Sequence, residues 1–369
     1  MSAPEPQPPA TGGGTTYASA GVDVAAGERA VDLMRAAVAR TARPEVVGGL
    51  GGFAGLFDAS ALRGYRRPLL ATSTDGVGTK VAVAQALDRH GTIGIDLVAM
   101  VVDDLVVCGA EPLFLTDYIA CGRLVPERVA EVVAGIAEGC ALAGCALLGG
   151  ETAEHPGLLG PDDYDVAGAG TGVVEADRLL GAERVGAGDV VVAMASSGLH
   201  SNGYSLVRHV LLERAGWSLH RHVDELGRTL GEELLEPTRV YARDVLALAD
   251  AVEVHALSHV TGGGLAANLE RVLPAGLGAR LQRSSWRPAP VFDLVARVGG
   301  VARADLEATL NTGVGMAAVL PAGSVDPALA LLRERAVPAW VLGEVVGADH
   351  VAALGAGPAR VVLEGDHPR

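Results

Sequence analysis

The chain has 369 residues, and at ~150 residues per domain this length predicts two domains. Its 29 basic and 44 acidic residues give a formal net charge of −15, which argues against a general binder of nucleic acid or anionic membranes. Of the 29 basic residues 28 are arginine and one is lysine, Lys80. Because a compact ammonium and a planar guanidinium are not interchangeable, Lys80 marks a position that arginine would not fill.

Targeting and redox signals point to a globular protein of the cytoplasm. No apolar run approaches the ~18 residues of a membrane span, and residues 1–16, rich in Pro, Gly and Thr, lack the features of a signal peptide and are predicted to be a disordered tail. The four cysteines form neither a CxxC pair nor a zinc pattern, so we expect reduced thiols. They are Cys108, Cys121, Cys140 and Cys145.

Helical and extended patterns alternate along the chain. Apolar spacing predicts helices over 22–40, 81–88, 93–108, 126–144, 201–216, 236–251 and 261–273. Short apolar or alternating runs predict strands over 69–73, 113–120, 145–152, 165–175, 189–196, 252–258, 314–321, 339–346 and 359–365. The glycine-rich stretch 46–57 is predicted to form no regular element.

This alternation predicts an α/β or α+β protein with two domains of similar size. The turn-rich stretch 183–189 is the predicted boundary. The expected organisation is then the tail over 1–16, an amino-terminal domain over 17–182, a carboxy-terminal domain over 183–348, and a second tail over 349–369 that carries the last strand.

The sequence contains none of three familiar nucleotide-binding or hydrolase motifs in a form that predicts its function. The Gly-x-Gly-x-x-Ala matches at 49–54 and 313–318 do not join a strand to a helix, as a Rossmann fingerprint requires. The Walker A spacing and the Gly-x-Ser-x-Gly elbow are absent from the sequence.

Four glycine-rich loops that follow predicted strands contain most of the candidate functional residues. They are TDGVGTK (74–80), LLGGET (147–152), SSGLHSNGYSL (196–206) and SHVTGGG (258–264). Glycines let backbone N–H groups surround phosphate oxygens, so the first two loops are predicted to bind phosphate. The residues concerned are Gly76, Gly78, Thr79, Lys80, Gly149 and Gly150.

Carboxylates beside phosphate-binding loops indicate a bridging Mg²⁺, because acids cannot bind phosphate directly. Asp75, Asp104 and Glu151 are the predicted metal ligands, and the ammonium of Lys80 is the predicted phosphate partner. His200 and His259 lie in the loops of the second half, and a histidine there can act as an acid or a base or simply be a satisfied polar group. The residues alone therefore predict a two-domain enzyme that uses ATP or another phosphate compound.

In these same loops the chain strongly resembles the phosphoribosylformylglycinamidine cyclo-ligase (AIR synthetase) family of purine biosynthesis. The matching order runs from about residue 17 to 346. It includes YASAGVDVAAG (17–27), RPEVVGGLGGFAGLF (43–57), STDGVGTK (73–80), CALLGGETAEHPG (145–157), SSGLHSNGYSLVR (196–208), EPTRVYARDVL (236–246), HVTGGGLAANLERVLP (259–274) and NTGVGM (311–316).

The resemblance implies ATP-dependent closure of formylglycinamidine ribonucleotide to aminoimidazole ribonucleotide, with release of ADP and phosphate. It also implies Mg²⁺, K⁺ as an ion that such enzymes often need, and a homodimer. In such a dimer the amino-terminal domains form a joint β-barrel with ATP near the interface, and the carboxy-terminal domain is an α/β sandwich.

Site residues carry over position by position. The resemblance implies a nucleotide–metal site at Asp75, Lys80, Asp104 and Glu151, with Gly49, Gly51 and Gly52 closing over phosphates. It implies substrate-side loops that contain His200, Ser201, Asn202, His259, Thr261, Gly262 and Gly263. Lys80, His200 and Asp75 are the expected catalytic residues, and His200 is the expected proton carrier.

Three departures concern local geometry: Asp103 stands where the family usually has Asn, His155 where it has Met, and Leu199 where it has Pro. Two alternatives remain open. One is another enzyme of the same superfamily, such as formylglycinamidine ribonucleotide synthetase, thiamine-phosphate kinase or selenophosphate synthetase. The other is a non-catalytic dimer that binds nucleotide.

Overall fold

The computed structural model describes residues 21–49, 51–353 and 359–368, so the predicted tail over 1–16 lies outside the described residues. The glycine-rich stretch, for which no regular element was predicted, contains a short antiparallel pair of strands, Val46–Val47 and Leu56–Phe57. The elements of the first half are α1 (Val24–Ala39), β1 (Val46–Val47), β2 (Leu56–Phe57), β3 (Pro68–Gly76), α2 (Val81–Leu87), α3 (Gly91–Val106), β4 (Glu111–Cys121), α4 (Pro126–Ala143), β5 (Ala146–Glu154) and β6 (Tyr164–Glu175).

The first half forms a four-stranded sheet of order β3-β6-β4-β5, which within the described residues is open and not a closed barrel. Helix α3 packs directly on β6, and this contact requires glycine: a Cβ at Gly170 would lie 2.7 Å from Val101. Helices α3 and α4 are equally close, since a Cβ at Gly94 would lie 2.1 Å from the backbone nitrogen of Ile136. The sheet therefore has one face covered by helices.

Strand register decides which acids share a face. Asp75 pairs with Gly168, Gly168 with Asp117, and Asp117 with Gly150, so the side chains of Asp75 and Asp117 point to the helix-covered face. Glu151 alternates to the opposite face. That face also carries Leu70, which is 66% exposed, and is left uncovered in the single chain.

The second half forms a six-stranded sheet of order β10-β12-β7-β13-β11-β14, whose strands pair antiparallel except β11 with β14. Its elements are β7 (Val190–Ala195), α5 (Tyr204–Arg208), β8 (His222–Val223), β9 (Arg228–Thr229), α6 (Leu230–Leu234), α7 (Ala242–Ala251), β10 (Ala256–His259), α8 (Gly264–Glu270), β11 (Leu277–Gln282), α9 (Pro290–Gly299), α10 (Arg303–Thr309), β12 (Val314–Leu320), α11 (Val325–Glu334), β13 (Ala339–Gly347), α12 (Ala348–Ala353) and β14 (Val361–Glu364).

Both faces of this second sheet are buried, which explains why its central strands read as continuous apolar runs. Along β7, Val192 and Met194 enter one hydrophobic core, and Val191 and Ala193 enter another on the other face. No helix among the described residues is long and apolar enough to cross a membrane.

Two predicted helices differ from the structure. The helix predicted over 236–251 begins only at Ala242, because the carboxylate of Asp103 on α3 accepts a hydrogen bond from the backbone N–H of Tyr241 (3.0 Å) and so caps α7 from the other half of the chain. The helix predicted over 201–216 begins at Tyr204 and continues as a π-helix over His209–Arg214. Burial raises the pKa of Asp103 to about 7, which is the local consequence of its replacing the family's usual Asn.

Candidate active site

The two halves meet where strand ends and helix α3 bring polar side chains together. Asp75 lies at the end of β3, His259 at the end of β10, and Asp104 near the end of α3. The Nδ1 atom of His259 lies 2.9 Å from Oδ1 of Asp104, a contact between residues 155 positions apart. Burial, together with the negative charge of Asp104, raises the pKa of Asp75 above its ordinary value. This interdomain cluster contains one predicted substrate-side histidine and two of the three predicted metal ligands.

His259 is a buried histidine in which one ring nitrogen has a hydrogen-bond partner and the other has none among the described residues. Burial alone would lower its pKa, but the hydrogen bond to Asp104 and the charges of Asp103 and Asp75 raise that pKa above its ordinary value. Its Nε2 atom is buried and has no hydrogen-bond partner among the described residues. Since buried polar atoms are almost always satisfied, an open Nε2 atom is available to a ligand.

His200 is held in a demanding backbone conformation. Its φ of +61° lies in the left-handed region, which costs a residue with a Cβ about 1 kcal/mol or more. The backbone N–H of Ser197 donates to Nε2 (3.1 Å), so the ring proton resides on Nδ1, and Nδ1 has no partner among the described residues. Burial, then the positive charges of His259 and Lys80, hold the pKa of His200 well below its ordinary value, so the ring is a neutral donor.

A glycine and a tyrosine complete the setting of the His200 ring. A Cβ at Gly315 would lie 2.5 Å from Cε1 of His200 and 2.0 Å from the hydroxyl oxygen of Tyr241, so only glycine fits there. The hydroxyl of Tyr241 donates to the carbonyl oxygen of Ala195 (2.7 Å), which ties it to the end of β7. Gly315 and Tyr241 therefore pack against the His200 ring, and its Nδ1 atom has no hydrogen-bond partner among the described residues.

The two predicted substrate-side loops touch each other. A Cβ at Gly262 would lie 3.4 Å from Oδ1 of Asn202, so the SNG and TGGG loops are neighbours. The side-chain amide of Asn268 donates to the carbonyls of Thr261 and Gly262 and, at 2.8 Å, to that of Gly264, which fixes the TGGG loop. Gly263 adopts φ +94°, a value that suits glycine.

The TDGVGTK loop is tied to the second half as well. The hydroxyl of Thr79 lies 3.2 Å from that of Ser205. Within the second half, the hydroxyl of Ser201 lies 3.1 Å from that of Thr238. Gly76 donates its backbone N–H to the carboxylate of its neighbour Asp75 (2.7 Å), and Gly78 adopts φ +71°. This loop thus crosses the junction of the two halves.

The remaining predicted glycines form a second group on the first half. Gly51, Gly52, Gly149, Gly150 and Glu151 line one cavity of about 350 Å³. Gly49 lines an adjoining cavity of about 290 Å³. The structure therefore brings the predicted phosphate-binding residues together in two places rather than one.

Asp117 lines the same 350 Å³ cavity and was missed by sequence reasoning. A Cβ at Gly150 would lie 2.3 Å from its carboxylate, so glycine is needed on the adjacent strand. Burial raises the pKa of Asp117 to about 7, with no opposing charge. An isolated acid within a strand such as LFLTDYIA was the available sequence signal.

Asp117 should make stability depend on pH. Its pKa is higher in the folded than in the unfolded chain, so its contribution is present at low pH and is lost as the pH rises through about 7. We expect Asp117→Asn to remove a fall of about 2–3 kcal/mol in unfolding free energy between pH 5 and pH 8. Urea denaturation without nucleotide measures this. Equal pH dependence in the two proteins would contradict the prediction.

The three predicted metal ligands do not form one cluster within the chain. Asp75 and Glu151 lie on opposite faces of the sheet and on edge strands three places apart, roughly 14 Å at the usual strand spacing. Among the described residues no three His, Cys, Asp or Glu side chains are close enough to hold a metal ion together. Asp75 and Asp104 are thus separated from Glu151.

Lys80 has partners other than the expected phosphate. Its side chain is fully buried, and Nζ donates to Oδ1 of Asp96 (2.8 Å) and to the carbonyl oxygens of His200 (3.0 Å) and Glu236 (2.6 Å). An ammonium has three N–H bonds, and all three are used here. Lys80 therefore has no N–H left for a phosphate, because protein acceptors surround it.

The fold and these loops define a two-domain protein of the AIR synthase related class. The model of the N-terminal domain of AIR synthase related proteins matches residues 57–174. The model of the C-terminal domain of the same class matches residues 186–355.

Curated relatives narrow this class. A phosphoribosylformylglycinamidine cyclo-ligase from Geobacillus kaustophilus is 50% identical over 93% of this chain and 99% of its own length. One from Anaeromyxobacter sp. is 55% identical over 89% of this chain and 95% of its own length. The chain belongs to the phosphoribosylformylglycinamidine cyclo-ligase family.

A solved structure shares the fold at greater distance. Hydrogenase maturation protein HypE, crystallised in complex with ATP, has a TM-score of 0.61 and 20% identity. The match covers 92% of this chain and 91% of HypE. At this level of identity the likeness concerns the fold alone.

Proposed function

We propose that this protein catalyses the ATP-dependent closure of formylglycinamidine ribonucleotide to aminoimidazole ribonucleotide, with release of ADP and phosphate. The observation that carries the proposal is 50% identity over 99% of the length of a cyclo-ligase of that name. The geometry supports it with two buried histidines whose ring nitrogens, Nδ1 of His200 and Nε2 of His259, are both open.

The reaction needs an activated oxygen and a deprotonated amine. ATP transfers its phosphoryl group to the formyl oxygen, the neighbouring amine attacks the same carbon, and phosphate leaves. The neutral Nδ1–H of His200 is suited to donate a hydrogen bond to that oxygen. In its neutral form, with Nδ1–H directed to Asp104, His259 offers Nε2 as the acceptor for the proton that the amine loses.

Asp75 and Asp104 fit the role of ligands to Mg²⁺ bound with ATP. Both offer carboxylate oxygens, which Mg²⁺ prefers, and the side chain of Asp104 is 44% exposed, so it can reach a nucleotide. When bound, Mg²⁺ neutralises phosphate charge. The protein's own contribution is to orient two carboxylates beside His259 and to bury the two histidines away from water.

The cavity lined by Gly51, Gly52, Gly149 and Gly150 supports a second contact with ATP phosphates, through backbone N–H groups. Glu151 lines this cavity and is separate from the Asp75–Asp104 pair. K⁺ is part of the proposal only through the family resemblance.

The deciding experiment is a coupled assay of ADP release with the purified protein. We expect ADP release with formylglycinamidine ribonucleotide, and formation of aminoimidazole ribonucleotide in equal amount. Release with thiamine phosphate or selenide instead would favour another enzyme of the superfamily. Nucleotide binding with no turnover of any of these substrates would indicate a non-catalytic protein.

We also propose a homodimer formed by the uncovered face of the four-stranded sheet. Leu70 and Tyr118 are both exposed there, at 66% and 41%, on a face that a second copy would cover. Two such faces together would give the joint barrel that the family resemblance implies.

Leu70→Glu is expected to convert the dimer to a monomer, because it places a charge in each copy of the apolar contact. Sedimentation velocity at micromolar concentration measures the change. The matched control is Leu158→Glu, since Leu158 is also exposed, at 78%, but lies outside the sheet. An unchanged sedimentation coefficient for Leu70→Glu would refute this interface.

A further inference from the structure

We propose that Lys80 and Asp96 are positioning residues that join the two halves of the protein and hold the backbone of the His200 loop in its active conformation. The inference rests on the proposed function for what His200 does. It concerns residues that sequence reasoning either assigned to phosphate binding, as with Lys80, or did not single out, as with Asp96.

The pair is buried and its atoms converge on one point. Lys80 and Asp96 are both 0% exposed, and their charged atoms are 2.8 Å apart. The Nζ atom of Lys80 also lies 5.5 Å from the centre of the Tyr204 ring, so an aromatic face packs against the ammonium group. A buried charge must be paired and hydrogen-bonded. All three N–H bonds of Lys80 are used, and Oδ1 of Asp96 accepts three hydrogen bonds, whereas its Oδ2 has no partner among the described residues.

All the other partners of the pair come from the second half of the chain. Lys80 donates to the backbone carbonyls of His200 and Glu236, 120 and 156 residues away. Oδ1 of Asp96 accepts from the backbone N–H (2.7 Å) and the hydroxyl (2.6 Å) of Thr238. An ion pair of the first half thus holds two loops of the second.

The contact with His200 is made at the strained residue itself. The left-handed φ of +61° persists only if neighbouring contacts hold it, and Lys80 holds the carbonyl oxygen of that residue. The neighbour Ser201 is tied through its hydroxyl to Thr238, which Asp96 holds in turn. The pair therefore controls the direction in which the His200 ring presents Nδ1.

The same geometry explains why this position is the one lysine among 29 basic residues. Three acceptors surround a single point, as a tetrahedral ammonium requires. A guanidinium is planar and carries five N–H donors, so arginine here would displace the acceptors and leave donors unsatisfied in a buried site.

The test compares Lys80→Arg, Lys80→Met and the double variant Lys80→Met/Asp96→Asn by steady-state kinetics and thermal denaturation. We expect each to lower kcat at least tenfold while KM for ATP and for the ribonucleotide changes less than threefold. The double variant, which leaves no unpaired buried charge, should regain melting temperature over Lys80→Met without regaining kcat. Recovery of kcat together with stability would overturn the proposal.

The matched control is Asp189→Asn. Asp189 is a buried acid whose carboxylate is 2.7 Å from Nδ1 of His255, at the end of β7 away from the His200 loop and roughly 20 Å along the strand from it. It should lose stability but keep kcat within twofold. A tenfold rise in KM for ATP in Lys80→Arg, with kcat unchanged, would instead assign Lys80 to phosphate binding and overturn the proposal.

A spectroscopic readout separates this proposal from the proposed function. In the wild type, ¹⁵N-edited imidazole spectra should show His200 as a single neutral Nδ1–H tautomer. In Lys80→Met the signal should split or shift towards the Nε2–H tautomer while the folded fraction is unchanged. If the wild type fails to turn over the ribonucleotide, the proposed function fails but this measurement still decides the role of Lys80. An identical His200 signal in both proteins would refute it.

Discussion

His200→Asn is expected to lower kcat by about 10²–10³-fold, because the proposed mechanism gives the Nδ1–H of His200 the role of a preorganised hydrogen-bond donor to the reacting oxygen. Asparagine is the suitable replacement, since it tolerates the left-handed backbone conformation that His200 adopts. The fold should therefore survive, and the melting temperature should stay within a few degrees of the wild type. Steady-state assays of ADP release with saturating substrates measure the effect.

His90→Asn is the control for this variant. His90 is also a buried histidine, but its Nδ1 atom is 2.8 Å from the hydroxyl of Tyr164, on the first half and outside the interdomain cluster. It should lose some stability and keep kcat within about twofold when activity is expressed per folded protein. A His200→Asn enzyme with the kcat of this control would remove His200 from the mechanism.

Asp104→Asn is expected to raise the Mg²⁺ concentration for half-maximal activity at least tenfold and to lower kcat by about 10²-fold at saturating Mg²⁺. The first effect follows from the proposed role of Asp104 as an anionic oxygen ligand of Mg²⁺. The second follows because the amide of asparagine removes the negative charge beside His259 and offers its Nδ1 atom, now 2.9 Å from a carboxylate oxygen, a weaker acceptor or a competing donor. Activity titrated with Mg²⁺ at fixed ATP, and Mg²⁺–ATP binding by calorimetry, measure the two effects separately.

Two comparison variants sharpen this result. Asp165→Asn changes an exposed acid on β6 and should leave the Mg²⁺ requirement unchanged. Glu151→Gln changes the acid that the structure places on the opposite face of the sheet from Asp75. If Asp104→Asn behaved like Asp165→Asn, Asp104 would not be a ligand. If Glu151→Gln reproduced both effects of Asp104→Asn, the two acids would act on one centre.

Local patterns in the sequence predicted most of the helices and strands of the fold. Apolar spacing predicted α1, α3 and α4, and continuous apolar runs predicted β7 and β12, because both faces of that sheet are buried. The strand Leu277–Gln282 was not predicted, since a six-residue segment with Gly and Arg has little pattern of its own. It exists because β13 and β14 pair with it on either side.

The sequence predicted part of the candidate site, and the structure was needed for the rest. Three of the four glycine-rich loops predicted to hold the functional residues lie together: the hydroxyl of Thr79 is 3.2 Å from that of Ser205, and a Cβ at Gly262 would lie 3.4 Å from Oδ1 of Asn202. Their separation into an interdomain cluster and a cavity on the first half was not predictable. The reason is that Asp75 and Glu151 stand on the two edge strands of the sheet, three places apart, and this separation follows from the strand order, which the sequence does not reveal.

Lys80 shows the limit most clearly. The sequence by itself determined the family, and it predicted the loops and a position that requires lysine, because a composition of 28 arginines and one lysine isolates Lys80. It placed that lysine in a phosphate-type loop and so predicted a phosphate partner. Only the tertiary structure decided otherwise, since the acceptors come from Asp96, His200 and Glu236, at separations of 16, 120 and 156 residues. A charge takes the partners that surround it in space, and burial makes those partners obligatory.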